Sequence, residues 1–134
     1  MIMKSITATL SRGLQMGSNL VCADNSGATM IQIISVKGIH GVARRRQSAG
    51  IADMVIAAVK KGDPKMRHEV VMAVIVRTAK EYRRPNGLRV SFEDNAAVLV
   101  NEKGDPRGTR IKGPIAKEVV ERWSTIGKIA TTVT

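Results

Sequence analysis

Short apolar runs separated by turn-forming residues dominate the first hundred positions of this chain. The runs are rich in Val, Ile and Ala, and Gly, Asn, Asp and Pro cluster between them. Several short strands at regular spacing, with turn chemistry between them, are typical of a small closed β-barrel, which also leaves no sheet edge exposed. The predicted strands cover residues 19–23, 28–37, 54–59, 69–78, 88–92 and 96–100.

Two of these runs carry more detailed predictions. The nearly continuous apolar run at 69–78 predicts a central strand that is covered on both faces. Residues 88–92 alternate, which places Leu88, Val90 and Phe92 on one face of a strand. Residues 24–27, 61–64 and 83–87 contain the Asn, Asp, Gly and Pro combinations that favour tight turns.

The period of the pattern changes after residue 112. Ile115, Val119 and Trp123 recur every fourth position, and Pro114 suits the first position of a helix. We therefore predict a helix over residues 114–123, with Glu118 and Arg122 as a favourable pair one turn apart. Ser124 is suited to cap a second short helix, although Gly127 weakens the prediction of that helix. The expected organisation is one domain over 1–134, with the barrel at about 18–112 and the helical region at 113–134.

The charge of the chain is strongly positive and unevenly distributed. Its 134 residues include 22 Lys and Arg against 11 Asp and Glu, a net charge of +11. Residues 41–91 hold twelve of the bases and only four of the acids. Such a field repels itself in the folded state, and a polyanion would neutralise it while releasing counterions. Basic residues that merely keep a protein soluble are the simpler alternative, but mixed or acidic surfaces serve solubility better.

The basic residues of the predicted turns and strand ends are the candidate RNA-binding residues. Arginine is suited to two-pronged contact with phosphate. Any one of these side chains could simply be solvated in a turn, but their concentration in one part of the chain argues for a shared role. The candidates are Lys37, His40, Arg44, Arg45, Arg46, Lys60, Lys61, Lys65, Arg67, Arg77, Lys80, Arg83, Arg84 and Arg89.

The scarcity of aromatic residues narrows the mode of binding. Aromatic residues make up 2% of the chain, and Phe92 and Trp123 lie in apolar patterns that predict core positions. A protein that binds single strands by stacking needs an aromatic platform, which this chain does not provide. The remaining mode is contact with the phosphates and shape of folded RNA.

Other functional classes find little support. His40 and His68 lie in separate basic segments without an obvious partner, and no catalytic motif is present, so we expect no enzyme, metal, cofactor or small-molecule substrate. Cys22 is the only cysteine, which excludes an internal disulfide and favours a small buried side chain. The longest apolar run, at 70–76, is too short to span a membrane and the first residues lack a signal-peptide pattern, so a cytoplasmic location is expected.

Several segments then match a known pattern. Residues 73–76 read AVIV and are followed, at family-like spacing, by Asn86-Gly87, Phe92, Asn95 and Val98-Leu99. The segments ADNSGA at 23–28, RRPNG at 83–87, EDNAA at 93–97, PRGTRI at 106–111 and GPIAKE at 113–118 fit as well. From about residue 17 onward, the chain resembles the universal large-subunit ribosomal protein L-fourteen family, in its archaeal form. One departure is Ala52, where the family usually has glycine, and it bears on the local turn geometry.

The resemblance implies a fold and a set of partners. It implies a five-stranded barrel with C-terminal helices, located in the ribosome and bound to large-subunit rRNA. It further implies contacts with neighbouring large-subunit proteins, with small-subunit rRNA in an intersubunit bridge, and with a factor that prevents premature subunit joining. The residues expected on this intersubunit or factor face are Arg107, Thr109, Arg110, Lys112 and Lys117. There are two alternatives to this ribosomal role. One is a free-standing RNA-binding translation factor or RNA chaperone, and the other is an enzyme acting on RNA.

Overall fold

In a computed structural model the fold is mainly β, and the structure describes residues 10–38 and 43–134. Within those ranges, short strands and two short helices follow one another along the chain. They are β1 (Leu14–Gln15), β2 (Asn19–Cys22), β3 (Ala28–Val36), β4 (Ser48–Ala49), β5 (Met54–Gly62), β6 (Val70–Arg77), β7 (Tyr82–Arg83), β8 (Arg89–Val90), β9 (Ala96–Val100), β10 (Pro114–Ile115), α1 (Lys117–Arg122), α2 (Ser124–Gly127) and β11 (Thr132–Val133).

Five of the strands close into a barrel in the order β2-β3-β5-β6-β9, as predicted. Neighbours are antiparallel except where β2 meets β9, with Val21 opposite Ala96 in a parallel pair. Alternate residues point inward, and Leu20, Ile31 and Leu99 are among those that fill the interior. Because successive side chains of a strand point to opposite faces, the pleat directs one apolar set into the barrel.

A second apolar cluster lies outside the barrel, between the sheet and the C-terminal region. The outward faces of β6 and β9 pack there against Ile115, Val119 and Trp123. The indole Nε1 of Trp123 donates a hydrogen bond of 2.8 Å to the carbonyl oxygen of Ala52. The predicted core position of Trp123 is thus confirmed. The predicted cover on both faces of β6 is confirmed for Ala73 to Val76, which are fully buried, but not for Val70, which is 62% exposed.

The predicted start of the first helix was wrong. Pro114 and Ile115 are extended and pair in parallel with Thr132 and Val133, and the helix begins only at Lys117. The backbone N–H of Ala116 donates to the carbonyl oxygen of Val76, so this segment is held against the barrel in an extended form. Pairing with residues that are distant in sequence therefore overrides the local preference of proline for a helical first turn.

Two further predictions about the helices were wrong. Glu118 and Arg122 do not pair with each other, because Arg84 binds Glu118 and Asp53 binds Arg122. The second helix is present, but Ser124 lies within it, and Trp123 stands at the capping position without a side-chain hydrogen bond.

Two strand predictions also needed correction. β5 continues through residues 61 and 62, where a break was predicted, because Lys61 still pairs with Met30 on β3. The 88–92 strand is reduced to Arg89–Val90, and Leu88 is 62% exposed at the tip of the β7–β8 hairpin. Phe92, predicted as a core residue, is only half-buried and packs against the second apolar cluster from outside it.

Cys22 is buried inside the barrel, as predicted. Its thiol donates to Oδ1 of Asp24 at 3.0 Å, and burial followed by this hydrogen bond raises the pKa of the thiol to about 12. The carboxylate of Asp24 also accepts from the backbone N–H of Ser26 and of Leu99. Asp24 therefore both forms the turn after β2 and joins that turn to β9. Within the described ranges, no helix has the length and apolar character needed to cross a membrane.

Candidate nucleic-acid interface

The antiparallel register gathers the loops at two opposite ends of the barrel. Val36 lies opposite Val55, and Met54 lies opposite Val74, so residues 37–38, 43–53 and 78–95 share one end. Ala28 lies opposite Gly62, so residues 23–27, 60–69 and 101–113 share the other. We call the first the arginine end and the second the lysine end, after the cations that they carry.

The arginine end presents three consecutive exposed arginines. Arg44, Arg45 and Arg46 are exposed, and none forms an ion pair with any residue that the structure describes. Lys37, Lys80 and Arg83 are also exposed at this end. Arg89 differs, because its guanidinium binds Glu81 at 2.8 Å. The predicted RNA-binding residue His40 lies outside the described residues.

The lysine end collects a second group of free cations. Lys60 and Lys61 are exposed where β5 ends, and Lys65 and Arg67 are exposed in the loop that follows. None of the four forms an ion pair within residues 10–38 and 43–134. Asp63, in the same loop, donates its backbone N–H to the carbonyl oxygen of Gly27, which fixes the loop against the turn after β2.

The segment expected to form the intersubunit or factor face lies at the lysine end too. Asn25 holds Thr109 with two hydrogen bonds of 2.9 Å, one to its hydroxyl and one from its backbone N–H. The backbone N–H of Lys112 donates to the carbonyl oxygen of Ala23, and Arg107 lies 3.5 Å from the carboxylate of Glu69. The exposed residues of this segment are Arg107, Thr109, Arg110 and Lys112.

The topology therefore brings together residues that the sequence assigned to different partners. Lys65 and Arg67, predicted to bind rRNA, share a barrel end with Arg107 and Arg110, predicted for the other face. Lys117 stands apart from them as the exposed first residue of α1.

Arg77 is a predicted RNA-binding residue whose guanidinium is used inside the protein. Its Nε donates to Oδ1 of Asp94 at 2.6 Å, and its NH2 group donates to Oδ2 at 3.3 Å. Its NH1 group donates to the carbonyl oxygens of Lys112 and Pro114. The hydrogen bonds from Arg77 hold the pKa of the Asp94 carboxyl below its usual value. Arg77 is only 9% exposed and joins the end of β6 to the start of the C-terminal region.

The guanidinium of Arg84 is likewise bound within the protein. Its Nε donates to Oε1 of Glu118 at 2.9 Å, and its NH2 group donates to the hydroxyl of Tyr82 and to the carbonyl oxygen of Thr134. The hydroxyl of Tyr82 donates to Oε2 of Glu118 at 3.0 Å, and burial raises the pKa of Tyr82 to about 12. Both carboxylate oxygens of the buried Glu118 are thus occupied. The network fastens the β7–β8 hairpin to α1.

Comparison with known proteins identifies the family. The sequence model described as "Ribosomal protein L14p/L23e" matches residues 13–134. The chain is 56% identical over 131 residues to the "Large ribosomal subunit protein uL14" of Methanocorpusculum labreanum, covering 98% of this chain and 99% of that protein. The proteins of the same name from Thermoplasma volcanium and Methanoregula boonei are 55% and 53% identical, with the same coverage. The chain belongs to the ribosomal protein L14 family.

Membership of the L14 family confirms the resemblance seen in the sequence and its archaeal form. The protein is a ribosomal protein of the large subunit, and its place is in the ribosome. The predicted fold class, a five-stranded barrel with short C-terminal helices, is confirmed as well. Which cations touch RNA stays a prediction.

Four residues that position side chains of this candidate interface were not predicted from the sequence to do so. Asn25 positions Thr109 across 84 residues of sequence, and Asp94, Tyr82 and Glu118 immobilise two arginines across 2 to 34 residues. No fixed spacing links such partners. The available signal for Asn25 was its place in the family-like segment at 23–28, which indicates importance without naming the partner.

Proposed function

We propose that this L14 protein binds large-subunit rRNA with the exposed cations at both ends of its barrel. The observation that carries the proposal is that these cations are exposed and lack carboxylate partners in the described part of the chain, on a protein of net charge +11. Such a charge distribution is stabilised by phosphates, which also release counterions when they are neutralised. The proposed contacts are made by Lys37, Arg44, Arg45, Arg46, Lys60, Lys61, Lys65, Arg67, Lys80 and Arg83.

Arg77 and Arg84 are assigned to the fold instead of to RNA. The hydrogen-bonding groups of Arg77 already meet one carboxylate and two carbonyl oxygens. A guanidinium that is neutralised by a nearby carboxylate offers little to a phosphate, and breaking the pair would leave a buried charge unpaired. The exposed Arg89 is an intermediate case, because its pair with Glu81 is solvent-exposed and therefore weak.

The 107–112 segment, anchored by hydrogen bonds to Asn25 and Ala23, is our candidate for contact across the subunit interface. We propose that Arg107, Thr109, Arg110 and Lys112, with Lys117 on α1, face small-subunit rRNA in a bridge and an anti-association factor. Exposure of these side chains and the anchoring of Thr109 by Asn25 support this assignment, because a held backbone presents its side chains at a low entropic cost. The family resemblance at residues 106–111 supports it too.

The rRNA contact can be tested by competitive assembly. Large subunits are reconstituted with equal amounts of wild-type protein and the R45A/R46A variant, and incorporation is measured across a range of salt concentrations. The matched control is K117A/K128A, which removes the same charge from two exposed lysines of the C-terminal region, away from both barrel ends. We expect R45A/R46A to lose the competition increasingly as salt rises, while the control competes almost equally.

Equal performance of the two double variants would refute the proposal, because it would mean that only net charge matters. Sedimentation of a cell lysate tests the broader placement. The protein should migrate with large subunits, and a pool that stays near the top of the gradient would favour the free-standing RNA-binding factor.

The intersubunit assignment needs a different readout. Large subunits that carry R110A/K112A should assemble at the wild-type level but join small subunits less completely, which sucrose gradients of mixed subunits can measure. Subunits that carry R45A/R46A, once purified, should join normally. Normal joining with R110A/K112A would contradict a role for this segment at the interface.

A further inference from the structure

The Arg44–Arg46 loop returns to the barrel through a short segment that is not itself part of the barrel. β4 begins two residues after Arg46 and pairs with the equally short β1 in a separate two-stranded sheet. Gly50 follows β4 directly, and a side chain there would collide with the carbonyl oxygen of Ser11, so the backbone is closely packed at this point. The position of Gly50 therefore determines where the loop meets the barrel.

The carboxylate of Asp53 holds Gly50 in place. Its Oδ2 accepts from the N–H of Gly50 at 2.8 Å, and the N–H of Asp53 donates to the carbonyl oxygen of Gly50 at 3.3 Å. The backbone of Asp53 is in turn fixed to β6, because its carbonyl oxygen accepts from the N–H of Ile75 at 3.1 Å. These bonds close a tight turn at residues 50–53 and join it to the barrel.

Two consecutive residues of the C-terminal region bind the same turn. Arg122 is the last residue of α1, and its NH1 group donates to Oδ1 of Asp53 at 3.2 Å. Trp123 follows, and its Nε1 donates to the carbonyl oxygen of Ala52 at 2.8 Å. One carboxylate oxygen of Asp53 therefore binds Gly50 and the other binds Arg122. With a partner on each oxygen, the direction of this carboxylate is set by the C-terminal region.

The pair of Arg122 and Asp53 is poorly arranged as a source of stability. Arg122 reaches Asp53 with one nitrogen, while its Nε is buried and has no hydrogen-bond partner within the described ranges. A buried donor without an acceptor is unfavourable, and removal of two charges from water offsets much of their mutual attraction. The side chains are only 21% and 23% exposed. Stability alone therefore does not account for the pair, whereas a role in orienting Asp53 does.

We propose that Arg122 is a positioning residue for rRNA binding, which acts through Asp53 and Gly50 to hold the Arg44–Arg46 loop in its binding form. A loop that is already held loses less conformational freedom when its side chains bind phosphates. Without Arg122, Oδ1 of Asp53 loses its partner and the carboxylate no longer has a fixed direction. The inference rests on the proposed function and deepens it, because it gives a role in binding to a residue outside the RNA contact.

Arg122→Met tests the proposal in binding measurements with large-subunit rRNA at several salt concentrations. Methionine removes the charge and the donors, but its helix propensity is close to that of arginine. The matched control is Lys128→Met, which removes the same charge from an exposed position of the C-terminal region. We expect Arg122→Met to weaken binding about fivefold and to lower the slope of log affinity against log salt by roughly 0.7–0.9, the value of one phosphate contact, while Lys128→Met leaves both nearly unchanged.

A cycle of double variants separates positioning from a general loss of structure. In the R45A/R46A background, Arg122→Met should cost no further affinity, because Arg122 acts only through the loop. A general loss of structure would lower the affinity by the same factor in both backgrounds. Asp53→Asn gives a second readout of the same pair. Its amide has one accepting oxygen, which cannot bind Gly50 and Arg122 from two sides, so it should reproduce the loss of affinity.

Three results would overturn the proposal. They are binding by Arg122→Met that is as tight as that of Lys128→Met, an equal loss of affinity with and without R45A/R46A, and a free Arg122→Met protein that does not fold. The second result would mean that Arg122 contacts RNA itself or supports the whole fold. Wild-type binding by R45A/R46A is a separate result, which would count against the proposed function because the loop would then not contact phosphate.

Discussion

The Arg44–Arg46 loop and the junction around Arg84 contain the same kind of residue in opposite circumstances. In the loop, three guanidinium groups are exposed and unpaired among the described residues. At the junction, Arg84 is held by Glu118, Tyr82 and Thr134. The comparison teaches that a basic sequence shows where positive charge lies, while distant carboxylates decide whether that charge is available to RNA.

The largest expected effect comes from breaking the junction at Glu118. Glu118→Gln leaves Arg84 without its carboxylate in a site where the two side chains are 10% and 4% exposed. Loss of one partner of a buried pair costs about 3 kcal/mol of unfolding free energy. Urea denaturation measures it, with the exposed Glu121→Gln on the same helix as the control. A loss of unfolding free energy as small as that of Glu121→Gln would mean that Glu118 does not hold Arg84 in place.

A smaller loss is expected when Arg77 is shortened. Arg77→Lys keeps the charge but loses the two-pronged contact with Asp94 and at least one carbonyl hydrogen bond. We expect a loss of about 2 kcal/mol, because several hydrogen bonds of a nearly buried group are removed. Arg67→Lys, at an exposed position, is the matched control and should change stability by less than about 0.5 kcal/mol. Indistinguishable denaturation curves for the two variants would contradict the structural assignment of Arg77.

The pH dependence of stability tests the pairing of Arg77 with Asp94. The pKa of Asp94 is lowered below 3.8 in the folded protein by Arg77. Its contribution is therefore fully present above pH 3.8 and is lost as the pH falls through the folded-state pKa. Asp94→Asn should be less stable than wild type at neutral pH, by less than Arg77→Lys, and the difference should shrink in acid. A constant difference from pH 7 to pH 2 would rule out this linkage.

Replacement of Ala52 by glycine is expected to give a modest gain in stability. Its φ of 70° lies in the left-handed range that disfavours a side chain, while its carbonyl oxygen accepts from Trp123. Ala52→Gly should raise the unfolding free energy by about 0.5–1 kcal/mol, because glycine relieves the strain at the cost of some chain entropy. Thermal denaturation of the free protein measures it. A decrease in stability would show that the turn does not store the strain inferred here.

The exposed loop should contribute almost nothing to stability and much to binding. R44A/R45A/R46A should change the unfolding free energy by less than about 0.5 kcal/mol. The slope of log affinity against log salt for large-subunit rRNA should fall by about 2–3, because each lost phosphate contact removes roughly 0.7–0.9. Binding measurements at several salt concentrations provide both values. An unchanged slope would place these arginines away from phosphate.

Much of the barrel could be predicted because each strand is a local apolar run. The predicted strand at 96–100 coincides with β9, and the 69–78 run differs from β6 by one residue at each end. The extended form of Pro114 could not be predicted, because its partner is Thr132 on a strand formed much later in the chain. Local patterns do not report such distant pairings.

The candidate interface could be predicted in the same uneven way. The concentration of positive charge predicted that the Arg44–Arg46 loop binds RNA, and the structure places all three side chains on the surface. The same criterion also selected Arg77 and Arg84, because nothing in their immediate neighbours reveals Asp94 or Glu118. Division of the cations between two barrel ends follows from strand order and register, which only the fold provides.

The most direct test is a density map of this protein within its assembled large subunit. We predict phosphate oxygens of rRNA within hydrogen-bonding distance of Arg44, Arg45 and Arg46, and none bound to Arg77 or Arg84, whose guanidinium groups should remain on Asp94 and Glu118. A map in which Arg44, Arg45 and Arg46 face solvent, while rRNA phosphates bind Arg77 and Arg84, would contradict the account.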